Sequence, residues 1–341
     1  MGKITVIGAG SWGTALSLVL ADNGHDVVLY GREQQNVDAI NDRHMNEQFL
    51  PGVLLPETLK ATTDFKKAVD GVPFILIVTP SSAIRSVSKQ LNESLTGPAV
   101  IIHAAKGIEP KTHKRLSEII EEEISPEKRK AVCVLTGPSH AEEVALRKPT
   151  TVTVASKDLE QAGIVQEMFM NENFRVYLNG DIIGAELGGA LKNIIALAAG
   201  MTDGLGYGDN AKAALITRGM VEITRLGAML GANPMTFTGL TGIGDLIVTC
   251  TSVHSRNWRA GNAIGRGEKL EDVLENMGMV VEGVRATQAA YDLAETEGCD
   301  LPITTALYHV LFDGHSPQEE VQKLMSRPQK NELEHLFTSK D

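Results

Sequence analysis

The chain has 341 residues, a length that suits two domains and can bury a large core without disulfide staples. Hydrophobic residues make up 43% and charged residues 22%, an ordinary globular balance with no low-complexity tract or internal repeat. A formal net charge of −11 argues against a nucleic-acid or anionic-membrane partner, yet leaves room for a local cationic pocket.

The amino terminus reads as a strand, "KITVIGAG" at 3–10, rather than as a signal peptide. It runs into Gly8-Ala9-Gly10-Ser11-Trp12-Gly13 and then a helical pattern, "TALSLVLADNG", that stops at Asn23-Gly24. GxGxxG between a strand and a helix is a dinucleotide-binding pattern. Gly8 allows the tight turn, Gly10 lets a pyrophosphate approach the backbone, and Gly13 lets the helix pack closely on the sheet. The helix start then offers the phosphates unpaired N–H groups and a positive dipole end. An ordinary glycine-rich turn would need none of this context.

The next strand, "HDVVLYGR" at 25–32, ends on Gly31-Arg32. An acidic residue there would accept hydrogen bonds from the adenosine ribose of NAD, whereas Arg32 can pair with a 2′-phosphate. NADP(H) is therefore favoured, and the adjacent Glu33 leaves NAD(H) open. Further strands are expected at 72–80, 99–107, 130–138 and 150–157, with helices over 82–95 and 111–124 between them. Several are continuous apolar runs, as in a parallel sheet buried on both faces, and the alternation is that of a doubly wound fold. Lys106 falls just past a strand's carboxyl end, the edge where such sheets bind ligands. Gly137-Pro138 ends another strand. Ser139 is then either a ligand contact or an N-cap, with Glu142 placed for a capping box.

"FRVYLN" at 174–179 is the last expected strand, and helical patterns follow at 211–231, 282–298 and 316–326. The expected division is a Rossmann-like domain over 1–184 and an all-helical substrate-binding and catalytic domain over 185–341. "LGGALKNIIALAAGM" (187–201) opens the second with a single charge, Lys192, and no acid three or four positions away. Burial of such an ammonium disfavours its charged form and lowers its pKa, which suits a proton donor. Asp245, read here as lying in a glycine-rich turn, is the expected partner. Gly188, Gly189 and Ala190 are expected to let the helix approach the cofactor. Ser255-Arg256-Asn257 begins a further helix whose N–H groups, hydroxyl, guanidinium and carboxamide suit one phosphate; Ser255 as a plain N-cap is the simpler reading.

Cys133, Cys250 and Cys299 are far apart, with no CxxC and no metal-ligand cluster, so no metal and a reducing, cytoplasmic compartment are expected. No uninterrupted apolar run reaches ~18 residues, so no membrane span is expected.

On "GAGSWGTALS", "AAKGIE", "TGPSHAEEV", "GALKNIIALAAG", "GLTGIGDLIVTC" and "SRN", the chain resembles bacterial-type NAD(P)-dependent glycerol-3-phosphate dehydrogenase over essentially its whole length. The resemblance implies a Rossmann-like domain, an all-helical domain, and catalysis in the cleft between them. It implies that Ser11, Trp12, Arg32, Ala141, Val280 and Glu282 contact the cofactor, together with the glycine loop, Lys106 and Arg256. Lys106, Gly137, Ser139, Asp245, Ser255, Arg256 and Asn257 would surround the substrate, with Lys192 as the catalytic proton-transfer residue. The implied reaction interconverts dihydroxyacetone phosphate and sn-glycerol 3-phosphate, a precursor of glycerophospholipids. A homodimer is compatible with an apolar helical domain, though nothing requires one. Two other readings compete: a 6-phosphogluconate-type hydroxyacid dehydrogenase, and an NADP(H) sensor without activity. Lys192 together with a separate phosphate site weighs against the sensor.

Overall fold

The computed structural model describes residues 2–278, 280–329, 331 and 332. Its compact units are residues 1–106 with 114–185, and residues 107–113 with 186–341.

In chain order, the first unit comprises β1 (Lys3–Ile7), α1 (Ser11–Asp22), β2 (Asp26–Tyr30), α2 (Gln34–Arg43), β3 (Met45–Asn46), β4 (Leu50–Leu54), β5 (Lys60–Thr62) and α3 (Phe65–Val69). It continues through β6 (Phe74–Ile77), α4 (Ile84–Ser94), β7 (Ala99–His103), α5 (Leu116–Glu123), β8 (Arg129–Thr136), α6 (Ala141–Ala145), β9 (Thr150–Ala155), α7 (Leu159–Phe169) and β10 (Phe174–Asn179). Eight strands form one sheet in the order β10-β9-β8-β7-β6-β1-β2-β5, and β3 pairs with β4 separately. Alternate residues along each strand feed opposite faces. Ile4, Val6, Leu76, Val100, Ile102, Cys133 and Leu135 join one apolar cluster. Ile7, Ile75, Ile77, Ile101, Val132 and Val134 join the other. Helices cover both faces, which is why these strands read as unbroken apolar runs.

The chain leaves β1 for β2 on one side and returns to β6 on the other, with β1 pairing parallel to both. The crevice between β1 and β6 is thus a topological switch point, where open α/β sheets bind ligands.

Two strands depart from the expected parallel sheet: β9 runs antiparallel to β8, and β10, parallel to β9, shares its direction. The connection explains it. A parallel neighbour needs a crossover that carries the chain back along the whole strand. Helix α6 has five residues and rises about 7.5 Å; the eight-residue β8 is about 26 Å long. The chain re-enters from the end at which it left. The short strands β3, β4 and β5 escaped the sequence reading because they lack an apolar run. The helix expected over 111–124 is shorter, beginning at Leu116.

Helix α8 (Ile182–Gly204) opens the helical part, followed by α9 (Gly208–Met229), α10 (Asp245–Thr251), α11 (Arg256–Gly265), α12 (Leu270–Met277), α13 (Glu282–Glu297), α14 (Pro302–Phe312) and α15 (Pro317–Met325). At 23 residues and mean hydropathy 1.5, α8 has the length and composition of a membrane span, contrary to the expectation from its 15-residue heart. However, 94% of its most apolar window is buried inside the protein, so α8 is a core helix. Where glycines punctuate it, other backbone fills the space. A methyl group on Gly200 would lie 2.0 Å from the Trp258 carbonyl oxygen, and one on Gly261 of α11 would lie 1.9 Å from that of Leu197.

Candidate active site

The glycine loop follows β1 into the switch-point crevice. Gly8 has φ +122°, a conformation that L-side chains rarely adopt, and its missing Cβ would lie 2.6 Å from the Val78 carbonyl oxygen beyond β6. A Cβ on Gly13 would lie 1.9 Å from the Gly8 carbonyl oxygen, so only glycine lets α1 start this close to the strand. Gly10 is different: nothing stands within 4 Å of where its Cβ would be. It is the N-cap of α1 and supplies no side-chain cap. The first N–H groups of the helix, those of Ser11 and Trp12, therefore face an open cradle with the dipole's positive end behind it. These residues fit a dinucleotide pyrophosphate, and Ser11 and Trp12 are both half-buried at its rim.

Arg32 stands exposed just past β2, with exposed Glu33 as the N-cap residue of α2. Past β7 and β8, Lys106 donates to the Gly137 carbonyl oxygen at 3.3 Å. Ser139 donates to the same oxygen at 3.0 Å. These three residues thus meet at one carbonyl oxygen. Ser139 is not the N-cap, though. That position is His140, which makes no side-chain cap bond, and α6 begins at the buried Ala141.

In the helical unit, Lys192 is 5% exposed and Asp245 only 1%. The Lys192 ammonium donates to Asp245 Oδ1 and, at 2.5 Å, to Thr249 Oγ1. Asp245 is thus the partner expected for Lys192, but its setting differs. It is the first residue of α10 rather than part of a turn, reached through a π-helical turn over Leu240–Gly244. Thr249 sits one turn further along the same helix and donates to the Asp245 carbonyl oxygen at 2.6 Å. Two opposing effects act on Lys192 Nζ: burial disfavours its positive charge, and the Asp245 carboxylate favours it. Burial alone does not set its protonation.

The space at Gly188 is also taken by protein rather than by a ligand. A Cβ there would lie 2.4 Å from the Thr241 carbonyl oxygen. The small residues let α8 meet the 241–242 backbone, which delivers Asp245 to Lys192.

Ser255 is the N-cap of α11, accepting from the Trp258 N–H at 3.2 Å. Its hydroxyl oxygen has a structural task, as the simpler reading held. The N–H groups of Arg256 and Asn257 belong to the helix's first turn, which has no intrahelical acceptor for them. The Asn257 carboxamide donates to Asn193 Oδ1 at 2.8 Å and accepts from the Gly283 N–H at 2.8 Å. It therefore ties α11 to the residue beside Lys192 and to the start of α13. Arg256 is exposed and reaches the Val280 carbonyl oxygen at 3.4 Å. Glu282, half-buried, is the first residue of α13.

Thr249 and Asn193 were not singled out by the sequence. The available signals were their positions: four residues after Asp245, hence on the same helical face, and directly after Lys192. The cysteines offer no nucleophile. All three are buried and free, and burial pushes Cys250 up to about 12, although the Lys192 charge works the other way.

Residues 3–162 match the family described as NAD-dependent glycerol-3-phosphate dehydrogenase N-terminus, and residues 181–322 match its C-terminus. The chain is 70% identical over 337 residues to glycerol-3-phosphate dehydrogenase [NAD(P)+] of Exiguobacterium sp. (strain ATCC BAA-1283 / AT1b), covering 99% of each. It is 62% identical over 336 residues to the protein of that name in Bacillus pumilus (strain SAFR-032), covering 98% of this chain and 97% of that one. The crystal structure of glycerol-3-phosphate dehydrogenase from Coxiella burnetii matches with a TM-score of 0.90 at 40% identity, over 96% of this chain and 99% of that one. A strand–turn–helix glycine cradle and a buried lysine–aspartate pair thus occur in a chain whose whole length has these relatives, and the chain belongs to the NAD-dependent glycerol-3-phosphate dehydrogenase family.

Proposed function

We propose that this protein is an NAD(P)-dependent glycerol-3-phosphate dehydrogenase, reversibly reducing dihydroxyacetone phosphate to sn-glycerol 3-phosphate. The observation that carries the reading is the Lys192 ammonium, buried and held by Asp245 and Thr249. Residues 1–184 supply most of the dinucleotide site; residues 185–341 supply the proton donor and the main phosphate contacts of the triose.

The nicotinamide, when bound, supplies the hydride that reduces C2 of the triose. Gly8, Gly10 and Gly13, with the N–H groups of Ser11 and Trp12, hold the pyrophosphate. Ala141, Val280 and Glu282 complete the cofactor site, with Lys106 and Arg256 serving both molecules. Arg32 favours NADP(H) by pairing with the 2′-phosphate, while Glu33 beside it tempers that preference so that NAD(H) is also accepted.

Negative charge develops on the C2 oxygen as the carbon is reduced. Lys192 Nζ gives that oxygen a proton; in the oxidative direction the neutral amine takes the hydroxyl proton back. Asp245 and Thr249 hold Nζ in one place, which limits the motion lost on reaching the transition state. Arg256, the first-turn N–H groups of α11, Ser255 and Asn257 bind the triose phosphate. Lys106, Gly137 and Ser139 line the remainder of the substrate site. Holding the non-reacting phosphate supplies binding energy that orients the ketone.

We read the protein as a cytoplasmic enzyme of small metabolites, without nucleic-acid partner or membrane insertion, that works as a homodimer and supplies glycerophospholipid synthesis. The test is a spectrophotometric assay of dihydroxyacetone phosphate with NADH and NADPH side by side. Turnover with both, and lower KM for NADPH, is the expected result. Binding of NADPH without turnover of this ketone would leave a sensor instead.

A further inference from the structure

Away from the lysine–aspartate pair, the hairpin of α14 and α15 gathers three groups of metal-ligating type: His309, His315 and Glu320. One donor atom from each lies within 4.8 Å of the other two. We propose that these residues form a binding site for a borderline divalent transition-metal ion, with Zn(II) as the type case, that staples the two helices together.

The local sequence builds this arrangement. His309 lies in the last turn of α14, and its carbonyl oxygen accepts from both the Asp313 and the His315 N–H groups at 3.1 Å. Gly314, at φ +73°, makes the tight turn between them. The turn brings the His315 ring back to 5.0 Å from the His309 ring, centroid to centroid. Ser316 then caps α15 by accepting from the Glu319 N–H at 3.2 Å, and Pro317 starts the helix. Glu320 is thereby fixed one turn in. Its Oε1 is 2.7 Å from His315 Nδ1 and its Oε2 is 3.7 Å from His309 Nδ1.

Ligands of a tetrahedral ion with bonds of about 2.0–2.2 Å stand roughly 3.3 Å apart. The present separations bracket that spacing, so modest side-chain rotations close the site. Two imidazoles and one carboxylate select a borderline ion over calcium or magnesium, which prefer oxygen alone. A further feature supports a ligand role for His309. Its Nδ1 faces Glu320, while its Nε2 is 4.0 Å from Asp313 Oδ2. A carboxylate behind the distal nitrogen is the arrangement that orients metal-bound histidines and makes them more basic.

The carboxylate is now held by Lys323, whose Nζ lies 2.6 Å from Glu320 Oε1. Burial opposes the charge on Glu320, and the Lys323 and His315 hydrogen bonds outweigh it, holding its carboxyl below the ordinary range. Lys323 is 60% exposed and can swing into solvent when a doubly charged ion replaces it. The histidines are 29% and 38% exposed, so a water can complete the shell.

The experiment is calorimetric titration of the metal-free full chain with zinc chloride, for wild type, His315→Ala and His309→Ala. One equivalent should bind wild type in the micromolar range or tighter, raise its Tm, and bind each variant at least ~10-fold more weakly. X-ray absorption on zinc-loaded wild type should show two imidazole nitrogens and carboxylate oxygen, a readout independent of whether the variants fold. Absence of one-equivalent binding, unaltered affinity in both variants, or sulfur in the shell would each overturn the proposal.

Discussion

Replacing Lys192 by methionine separates what the ammonium does for the fold from what it does for the reaction. Methionine keeps the length and the apolar contacts of the lysine stem but removes the charge. Asp245, 1% exposed, then faces no ammonium. Stranding a buried charge in this way costs about 3–5 kcal/mol. A chain of this size, with about 5–15 kcal/mol in hand, should remain folded, with a clearly lowered urea midpoint and an unchanged m-value. Turnover of dihydroxyacetone phosphate should fall at least ~100-fold, the usual worth of a positioned proton donor. Cofactor affinity should change little.

The double variant Lys192→Met with Asp245→Asn decides between the two roles. Neutralising the aspartate removes the stranded charge, so at least ~1 kcal/mol of stability should return. Turnover should not return, since no group at position 192 can give or take a proton. Urea unfolding and NAD(P)H absorbance measure the two quantities on the same samples. If turnover recovered with stability, Lys192 would be only a counter-ion for Asp245. If Lys192→Met kept turnover within a few-fold of wild type, the assigned proton transfer would be wrong.

Gly10→Ala has room for its methyl group in the protein, where nothing lies within 4 Å. Its stability should hold within ~1 kcal/mol of wild type, while NADPH affinity, measured by fluorescence titration, falls at least ~10-fold. Arg32→Ala should raise the KM for NADPH about 10-fold and leave that for NADH nearly unchanged; equal effects on both would remove Arg32 from the 2′-phosphate site. Arg256→Ala should mainly raise the KM for dihydroxyacetone phosphate, and an unchanged KM would exclude it from phosphate binding. Glu222, fully buried, accepts from the Ile303 and Thr304 N–H groups at the start of α14. Burial raises its carboxyl from 4.5 to about 7 despite those bonds. Between these values the folded protein holds a proton that the unfolded chain has lost, so this contribution to stability, about 3 kcal/mol, is present below pH 4.5 and lost as pH rises through 7. Urea midpoints from pH 5 to 8 should fall less steeply in Glu222→Gln than in wild type.

Much of the fold was legible because burial on both faces writes itself into the sequence as apolar runs, as in 99–103 and 131–135. The antiparallel β9 was not, since its direction depends on the length of α6 and not on the composition of the strand. Local chemistry was legible where one residue type has one use. Gly8 and Gly13 have no substitute at their positions, and a lone lysine in an apolar helix demands a partner. Ser139 and Ser255 show the opposite case. Both precede helices and both suit a cap, yet only Ser255 is one; backbone geometry decides, and composition does not record it. Glu320 and its two histidines looked unrelated because a glycine turn and two helix ends, rather than helical spacing, bring them together.

Gly188, Gly200 and Gly204 on α8 answer a wider question, why the lysine proposed as proton donor should sit on a helix built almost like a membrane span. On α11, Gly261 and Gly265 pack against the end of α8 that carries Gly200 and Gly204. Methyl groups at Gly204 and Gly265 would lie 2.4 Å from the carbonyl oxygens of Asn262 and Met201, and those at Gly200 and Gly261 closer still. Backbone meets backbone along this contact, with no side chain between to change rotamer. Such a contact has very little slack, because close-packed atoms cannot shift without losing their neighbours. The first turn of α11, with Ser255, Arg256 and Asn257, is thereby fixed relative to Lys192, two turns before Gly200 and about 12 Å along the helix. A proton donor and a phosphate anchor gain most from being held at one separation, since a misplacement of about 1 Å can cost 100-fold in rate. The apolar, glycine-rich character of α8 is therefore a consequence of rigidity at the site. Lys192 is its one basic residue, and Asp245, delivered by the Gly188 contact, meets that charge within the core.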